Sequence, residues 1–316
     1  MVVTARTRHG LVKFRPVRLG STVAVIAPAS PCPRESFDAG VAELQRLGFA
    51  PVFDPSVFER GDIVAGPQVV RAGAIAEAMR RDDVDALIAV RGGYGSVEVL
   101  PHLDASAFRA SPKAIVGYSD LTSVHAWLNG HVGTTSVHGA MLDGRLALGE
   151  SGYDRASFVG SLSAEPLGEL TAETLEVLRP GTAEGPLVGG TLTQLAASLG
   201  TPYGFAPPRG AVLFLEDVGE RPYRLHRLLT QLRLSGRLAH VSAIVCGQMT
   251  RCDEPDGRVT ARSVMADFFA DFGGPVLFGF PSGHTVTPFV SLPFGVHTRV
   301  VAEGSPRVIL EEAAAG

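Results

Sequence analysis

Cysteine and tryptophan are scarce in this chain, which has three cysteines and one tryptophan among 316 residues. Three scattered cysteines are too few for a disulfide framework or a zinc knuckle, and this scarcity fits a reducing compartment. Long hydrophobic runs are also lacking, and the basic amino-terminal segment has no continuous apolar stretch of the kind that forms a secretory signal. We therefore expect a cytoplasmic protein that does not interact with a membrane.

An excess of positive charge is lacking as well, because the formal net charge is -4. A protein without a basic face cannot neutralise a phosphate backbone, so nucleic acid is not expected as a partner. No pair of histidine, cysteine or carboxylate residues has the spacing of a metal site such as His-Glu-x-x-His, so no metal is expected. The composition, with 45% hydrophobic residues, is that of an ordinary globular protein long enough for two domains.

What the first half does contain is an alternation of short apolar strands and helical segments. The predicted strands are 22–27, 51–54, 86–90, 114–116 and 134–138, and the predicted helices are 34–47, 70–80 and 121–128. This alternation predicts parallel βαβ units in an open, doubly wound sheet. The loops 28–33, 91–95 and 117–120 all follow predicted strands, so we expect them to meet at the sheet edge where ligands bind in this architecture.

The periodic pattern weakens after about residue 145 and resumes near residue 186. The predicted strands of the second half are 211–215, 241–246, 275–280 and 296–301, and its predicted helices are 191–199, 221–234 and 261–272. We therefore predict an α/β protein with an N-terminal domain over residues 1–145, a linker over 146–185 and a smaller C-terminal α/β domain over 186–316.

The stretch Gly117-Tyr-Ser-Asp120 joins a predicted buried strand to a predicted helix and must turn sharply. A serine on such a turn is pushed out of the sheet, and the amides at the start of the helix point towards the same spot. Ser119 is therefore a candidate nucleophile. The alternative is that Ser119 or Asp120 only caps the helix, since both residue types are favoured at that position.

Arg91-Gly-Gly-Tyr-Gly95 superficially resembles a loop that holds phosphate, but it lacks the Lys-Ser/Thr ending of a P-loop. Its adjacent glycines allow backbone amides to approach a ligand or a developing oxyanion closely. The alternative for this segment is a plain tight turn.

Two further strand ends carry groups that suit a serine nucleophile. A predicted strand ends in Glu216-Asp217, and Asp217 or Glu220 suits the capping of the next helix better than Glu216 does. His284 lies in a Gly/Pro loop after another strand and is the best candidate for a general base. The other histidines considered are predicted to be satisfied structural residues: His125, His138 and His226.

Ser119, Glu216 and His284 follow one another in the order nucleophile, acid, base, each just after a predicted strand. In such a triad the neutral imidazole takes the serine proton, and the carboxylate holds the correct tautomer. The amides of Gly93 and Asp120 are expected to face the tetrahedral oxygen. The sequence thus predicts a hydrolase that acts through an acyl-enzyme.

Two other functions stay open at this point. The order of the three residues also suits the α/β-hydrolase class, although Leu121 stands where that class has a glycine. A binding module without catalysis is the second alternative. Its periplasmic and nucleotide-binding versions are disfavoured by the lack of a signal peptide and by the incomplete glycine fingerprint.

Several short motifs follow one another along about residues 20–311. They are Gly92-Gly93, Val116-Gly-Tyr-Ser-Asp120, Gly189-Gly-Thr-Leu192, Phe214-Leu-Glu-Asp217 and Gly283-His284. Together they resemble the LD-carboxypeptidase family of serine peptidases, which includes muramoyltetrapeptide carboxypeptidases and microcin C immunity proteins. The resemblance implies a flavodoxin-like amino half, with helices on both faces of a parallel sheet, and a smaller mixed α/β carboxyl half.

In this family the triad is Ser-Glu-His, and the resemblance places it on Ser119, Glu216 and His284, with oxyanion amides at Gly93 and Asp120. It implies no metal or organic cofactor, and it implies a cytoplasmic homodimer. Its substrate is a small peptide or muropeptide. An exo-acting carboxypeptidase must bind a free carboxylate, for which the candidates are Arg91, Gly92 and Tyr94, with Arg221 or Arg224 as alternatives.

Two branches of the family differ in substrate. The peptidoglycan-recycling branch removes the terminal D-alanine of a tetrapeptide by cleaving an L,D-amide bond, whereas the immunity branch hydrolyses an aminoacyl-nucleotide antibiotic. The segment Glu216-Asp-Val-Gly-Glu-Arg-Pro-Tyr-Arg224 is more similar to the recycling branch. Trp127 is predicted on the helix after Ser119, so it is not expected to form the aromatic platform in the linker of the immunity branch. The sequence therefore favours recycling.

Overall fold

Two β-sheets organise the computed structural model, which describes residues 5–316. Residues 1–4 of the predicted N-terminal domain lie outside the described part. The strands are β1 (Thr22–Ile26), β2 (Ala50–Phe53), β3 (Ala86–Ala89), β4 (Ala114–Gly117), β5 (Ser136–His138), β6 (Gly168–Leu170), β7 (Glu176–Arg179), β8 (Thr182–Thr191), β9 (Val212–Glu216), β10 (Ala243–Gly247), β11 (Val276–Phe280), β12 (Leu292–Phe294), β13 (His297–Val301) and β14 (Arg307–Leu310).

Six helices fall close to the segments predicted from the sequence, whereas the three short helices at 96–99, 105–110 and 155–160 were not predicted. The helices are α1 (Arg34–Arg46), α2 (Gln68–Arg80), α3 (Ser96–Val99), α4 (Ala105–Ala110), α5 (Thr122–Trp127), α6 (Arg155–Gly160), α7 (Leu192–Ala197), α8 (Pro222–Leu234) and α9 (Ala261–Phe268). Short 3-10 turns cover Pro55–Phe58, Leu100–His102, Ser119–Leu121 and Leu146–Ser151, and a π-helical turn covers Leu128–Val132. Across residues 5–316, every helix is too short or too polar to reach from one side of a bilayer to the other.

The first sheet has the strand order β12-β5-β4-β3-β1-β2, and its strands β1 to β5 pair in parallel. The order β2-β1-β3-β4-β5 is that of a flavodoxin-like sheet. Because crossovers are right-handed and the strand order reverses at β1, helices cover both faces. All four residues of β3 are buried, as expected for a strand covered on both sides. The predicted fold class is confirmed.

The second sheet has eight strands in the order β6-β14-β13-β8-β9-β10-β11-β7. Strands β8 to β11 are parallel, and antiparallel strands flank them on both sides. Side chains alternate along the parallel strands, so Leu213 and Ile244 pack in one apolar cluster while Val212 and Ala243 pack in another. Cys246 lies in the first of these clusters, as predicted for a small core residue.

The two sheets exchange segments at their edges. Strands β6 and β7 belong to the second sheet although they lie within the predicted linker, 146–185. Strand β12 comes from the predicted C-terminal domain, yet it pairs antiparallel with β5 in the first sheet. The division of the chain near residues 145 and 186 stays a prediction about folding units. What matters for the site is that β4, β8, β9 and β11 end close to the residues expected to be functional.

Candidate active site

The turn after β4 places Ser119 in a strained backbone conformation. Ser119 has φ +61°, and only two other non-glycine residues of the described chain, Met249 and Arg251, have positive φ. A side chain in this region costs about 1–3 kcal/mol, and such strain is concentrated at functional sites. The sharp strand-to-helix turn predicted from the sequence is confirmed, and Ser119 is half-buried at its apex.

The helix-cap alternative for this turn is wrong. Neither the 3-10 turn that begins at Ser119 nor α5 receives a hydrogen bond from a side chain at its amino end. Instead, the Asp120 carboxylate accepts hydrogen bonds from the Ser96 amide at 2.7 Å and from Gln194 Nε2 at 3.1 Å. Burial raises the pKa of this carboxyl group. Asp120 therefore ties the turn to α3 and, across the two sheets, to α7.

The three loops expected to meet at the sheet edge do meet. A Cβ atom added at Gly92 would lie 2.9 Å from Ser119 Cβ, 3.2 Å from Ser119 Oγ and 3.3 Å from the Asp120 nitrogen. The Ser30 amide donates to the Gly92 carbonyl at 3.1 Å, and Ser30 Oγ accepts from the Tyr94 amide at 3.1 Å. Only glycine at position 92 allows this contact, because any side chain would collide with the serine.

The amides predicted to bind an oxyanion lie on this same loop contact. Gly93 follows Gly92, and within residues 5–316 its amide has no hydrogen-bond acceptor. The Asp120 amide borders Gly92 directly. The Gly92 contact thus brings the loop that carries Gly93 against Ser119 and the Asp120 amide. The role of the Gly93 and Asp120 amides as oxyanion donors stays a prediction.

Glu216 and His284 form a hydrogen-bonded pair at the ends of β9 and β11. Glu216 Oε2 accepts from the His284 amide at 2.9 Å and from His284 Nδ1 at 2.8 Å. The carboxylate side chain is 1% exposed and the imidazole is 21% exposed. Because Nδ1 must carry the proton that it donates, Nε2 is left as an acceptor facing the other side.

Electrostatics reinforce this pair. Burial alone raises the pKa of the Glu216 carboxyl group, but the facing His284 outweighs burial and brings that pKa to about 2. Burial also lowers the pKa of His284, and the Glu216 carboxylate reverses this effect, so the pKa lies above its ordinary value of 6.5. Each partner favours the charged form of the other, so the pair stabilises an imidazolium.

The loop that carries His284 passes directly over Glu216. Gly283 has φ +84°, and a Cβ atom there would lie 2.4 Å from the Glu216 carboxyl carbon. Glycine is therefore required at position 283 both for its backbone conformation and for its contact with the carboxylate. The Thr250 hydroxyl donates to the carbonyl of His284 and so holds the backbone of the residue that follows Gly283.

The two halves of the candidate triad lie against each other. The ring of Tyr118, the residue before Ser119, is 5.2 Å from the ring of His284 in an edge-on arrangement. Thr191, at the end of β8, donates through its hydroxyl to Glu216 Oε1, and its amide donates to Thr122 Oγ1 at 3.0 Å. A chain of hydrogen bonds thus runs from α5, the helix after Ser119, to the carboxylate.

The candidate substrate-binding residues lie on the same loop as Gly93. Arg91 is exposed, with Nε 3.5 Å from Asp143 Oδ2 and Nη1 3.4 Å from the Pro31 carbonyl. Tyr94 is 48% exposed and Gly92 is buried. Of the alternatives, Arg221 already pairs with Glu254. The role of these residues stays a prediction.

Asp217 does not cap the helix that follows it. Its carboxylate accepts from the amide and hydroxyl of Thr193, at 2.9 and 2.8 Å, and so satisfies the first turn of α7. The capping prediction is therefore wrong for Asp217. Its carboxylate accepts hydrogen bonds from α7 instead, and α7 follows β8, the strand next to β9 in the sheet. Burial, together with the charge of Glu216, raises the pKa of Asp217 to about 6.

The other histidines divide into different environments. His125 is satisfied as predicted, since Nε2 donates to the Gly117 carbonyl at 2.8 Å and Nδ1 accepts from Ser136 Oγ. His226 is exposed on α8. His138 contradicts the prediction, because within residues 5–316 neither of its ring nitrogens has a hydrogen-bond partner. Burial lowers its pKa to about 3, so it is neutral among aromatic rings.

One group in the described chain brings potential metal ligands together, and it lies away from the site. Glu184, His297 and Glu311 place ligand atoms within 4.8 Å of one another near the start of β8, whereas Thr191 ends that strand. Arg299 Nη2 lies 2.9 Å from Glu311 Oε1. A neighbouring arginine cation makes this group an ion-pair cluster on the sheet surface.

Sequence reasoning missed two residues that hold the site. Thr191 carried a signal, because it lies within the motif Gly189-Gly-Thr-Leu192 and is the last residue of β8. Arg145 carried none, since it lies where the periodic pattern fades. Its guanidinium contacts the loop of His284.

Comparison with protein families gives one consistent match. The model described as LD-carboxypeptidase N-terminal domain matches residues 23–139, and the model described as LD-carboxypeptidase C-terminal domain matches residues 184–300. A Streptomyces coelicolor protein named in general terms as a carboxypeptidase is 37% identical, over 92% of this chain and 94% of its own length. The murein tetrapeptide carboxypeptidase of Pseudomonas aeruginosa is 32% identical, over 83% of this chain and 87% of its own length.

Solved structures are similar over almost the whole chain. MccF, in complex with glutamyl sulfamoyl guanosine, superposes with a TM-score of 0.87 and 24% identity, covering 96% of this chain and 99% of MccF. The muramoyltetrapeptide carboxypeptidase of Oxalobacter formigenes superposes with a TM-score of 0.81 and 28% identity, covering 93% of this chain and 99% of that enzyme. Both structures share the fold described above.

Proposed function

This chain belongs to the LD-carboxypeptidase family of peptidases, and on that premise we propose that it is a serine carboxypeptidase that cleaves an L,D-amide bond. Its substrate is a muropeptide tetrapeptide, and its product is the terminal D-alanine. The family membership sets aside both alternatives considered from the sequence, an α/β-hydrolase-class enzyme and a binding module without catalysis.

The proposed reaction starts with Ser119 Oγ, which attacks the carbonyl carbon while His284 Nε2 takes its proton. The amides of Gly93 and Asp120 bind the oxygen that becomes negative. His284 then gives the proton to the nitrogen of the leaving D-alanine, and an acyl-enzyme remains on Ser119. Water, deprotonated by His284, releases the shortened peptide. Arg91, with Gly92 and Tyr94, binds the free carboxylate of the substrate.

The observation that carries this proposal is the bond from His284 Nδ1 to Glu216 Oε2 at 2.8 Å. It selects the tautomer whose Nε2 can accept a proton. The imidazole lies against Tyr118, and Ser119 follows in a strained turn that packs against Gly92. A histidine with a purely structural role does not need this combination of tautomer and charge next to the turn that carries Ser119.

Within residues 5–316, the predicted linker presents no exposed aromatic side chain, and this favours a muropeptide over an aminoacyl nucleotide. Trp127 is buried and packs edge-on against Phe108 at 5.0 Å, so it cannot stack on a base. The sequence from 159 to 202, which includes most of the predicted linker, contains no aromatic residue. The competing candidate, an immunity-type hydrolase of aminoacyl sulfamoyl adenylates, is favoured by the likeness to MccF, which at 24% identity concerns the fold.

One mass-spectrometric assay tests both substrates. The purified protein is incubated with a tetrapeptide muropeptide and, separately, with an aminoacyl sulfamoyl adenylate. We expect release of D-alanine from the first, and we expect Ser119→Ala to lower kcat by about 10⁴-fold or more. Ser305→Ala, on an exposed loop, is the matched control. Undiminished activity of Ser119→Ala contradicts the nucleophile, and cleavage of the adenylate alone establishes the competing candidate.

We further propose that the enzyme acts in the cytoplasm as a homodimer, as the family resemblance implies. Light scattering coupled to size-exclusion chromatography measures the mass in solution against the 33.1 kDa of one chain. A mass of one chain over the working concentration range contradicts the dimer.

A further inference from the structure

Arg145 bonds the loop of His284 through backbone carbonyls. It lies between β5 and the 3-10 turn Leu146–Ser151, and its side chain is partly buried. Its Nη2 donates to the Gly283 carbonyl at 2.9 Å and to the Thr285 carbonyl at 3.1 Å. Its Nη1 makes a longer contact of 3.5 Å with the Thr287 carbonyl. The guanidinium therefore contacts the loop on both sides of His284.

The same guanidinium also packs against the half that carries Ser119. Its central carbon lies 5.8 Å from the ring centroid of Tyr118 and 5.6 Å from that of Phe289. The Tyr118 ring contacts Phe289 at 4.9 Å as well as His284 at 5.2 Å. Arg145, Tyr118 and the loop of His284 thus form one packed unit around the imidazole.

We propose that Arg145 is a positioning residue that holds the loop of His284 against the turn of Ser119. This inference rests on the proposed function, in which the imidazole must stay within proton-transfer distance of the serine hydroxyl. A displacement of about 1 Å in such a geometry lowers the rate by about 100-fold.

The chemistry of the contact requires arginine. A planar guanidinium has five N–H donors in a fixed fork, so it bonds several carbonyls at once and still stacks on aromatic rings. A lysine ammonium at the end of a flexible chain retains the charge, but it cannot reproduce this planar set of contacts. Lysine therefore separates the effect of charge from the effect of geometry.

The charge of Arg145 has its own consequence for His284. Glu216 and Asp217 at the end of β9 favour the imidazolium, whereas Arg145 opposes it and lowers the pKa of His284. Tyr118 and the neutral His138 face the same space. Replacing Arg145 by a neutral residue is therefore expected to raise the pKa of His284, and replacing it by lysine is expected to leave that pKa close to the original.

The test compares Arg145→Gln and Arg145→Lys with the parent enzyme. We expect both to lower kcat by about 10- to 100-fold with a smaller change in KM, because positioning rather than binding is lost. The acid limb of kcat/KM is expected to move to higher pH in Arg145→Gln only. Arg233→Gln is the matched control, since Arg233 also bonds a backbone carbonyl and stacks on Phe268, but on the α8–α9 surface.

A second measurement separates this inference from the proposed function. The pKa of His284 is followed by NMR titration, with the resonance assigned by its loss in His284→Asn. A higher pKa in Arg145→Gln, together with a displaced His284 ring resonance in Arg145→Lys, which keeps the charge, supports the inference even if the parent protein releases no D-alanine, in which case only the proposed substrate fails. Unchanged kcat together with an unchanged pKa of His284 overturns it. Activity that falls only in proportion to a lower Tm, with the pKa unchanged, also overturns it.

Discussion

Ser119 is placed by its backbone, whereas Glu216 and His284 are placed by their side chains. The turn at Ser119 holds a residue at φ +61° against the backbone of Gly92. The acid–base pair is instead held by two hydrogen bonds to one carboxylate oxygen and by mutual charge. The position of Ser119 against Gly92 is set by steric contact, whereas the pairing of Glu216 with His284 is electrostatic and depends on protonation.

This difference indicates how a substitution in each half should affect the rate and its pH dependence. A change in the nucleophile half should alter the rate at every pH alike, because it moves atoms without changing charge. A change in the acid–base half should alter both the rate and its pH dependence. Substitutions of Thr191 and Arg145, which join the two halves, should have an intermediate effect on the rate and on its pH dependence. Substitutions in each half test this contrast, and the first of them is expected to lower activity the most.

Glu216→Gln removes the charge that faces His284. We expect kcat to fall by about 10³- to 10⁴-fold, as when a triad carboxylate becomes an amide. Because Glu216 raises the pKa of His284 and the base must be neutral, the acid limb of kcat/KM should move to lower pH. A pH–rate profile of both enzymes measures the shift. A residual acid limb at the parent position contradicts the assignment of that limb to His284.

Gly92→Ala tests the steric half. The added Cβ would lie 2.9 Å from Ser119 Cβ, so the serine or its loop must move, and we expect kcat to fall by about 100-fold. The pH profile should keep its shape. Gly73→Ala in α2 is the matched control, because a Cβ there has nothing within 4 Å. A Gly92→Ala enzyme with parent kcat contradicts the close contact.

Thr191→Val removes one hydrogen bond from the buried carboxylate and keeps the shape of the side chain. Hydrogen bonds to charged groups contribute about 1.5–3 kcal/mol, so we expect kcat to fall by about 10-fold. Thr191→Ser retains the hydroxyl and should stay within about 3-fold of the parent. Equal losses in both variants would assign the effect to packing against Thr122 rather than to the bond with Glu216.

Ser119→Gly tests the strain itself. Glycine adopts positive φ without steric cost, so we expect the free energy of unfolding to rise by about 1 kcal/mol while activity is lost. Urea denaturation of the two proteins measures the difference. Ser305→Gly, at a loop serine outside the positive-φ region, is expected to show no such gain. A less stable Ser119→Gly protein indicates that the turn is not strained.

The same contrast explains which residues could be found from the sequence. Gly92, Ser119 and His284 follow strands in short Gly-rich or Pro-rich segments, and such local patterns mark sharp turns. The meeting of their loops then follows from the parallel sheet. By contrast, Asp217 was assigned to the helix after it, although its hydrogen-bond partner is Thr193. A side chain that pairs across the sheet leaves no local pattern at its own position.

The order of residues along the chain was enough to predict the class of fold, the strands whose ends carry the site and the three side chains proposed to react. These depend on apolar periodicity and turn chemistry within a few residues. Two further contacts could be seen only in the folded chain. Glu216 bonds both the ring and the amide of His284, 68 residues away, and Arg145 bonds the loop on both sides of His284. The physical reason is that hydrogen bonds and charge pairing depend on distance in space, which folding sets and chain separation does not.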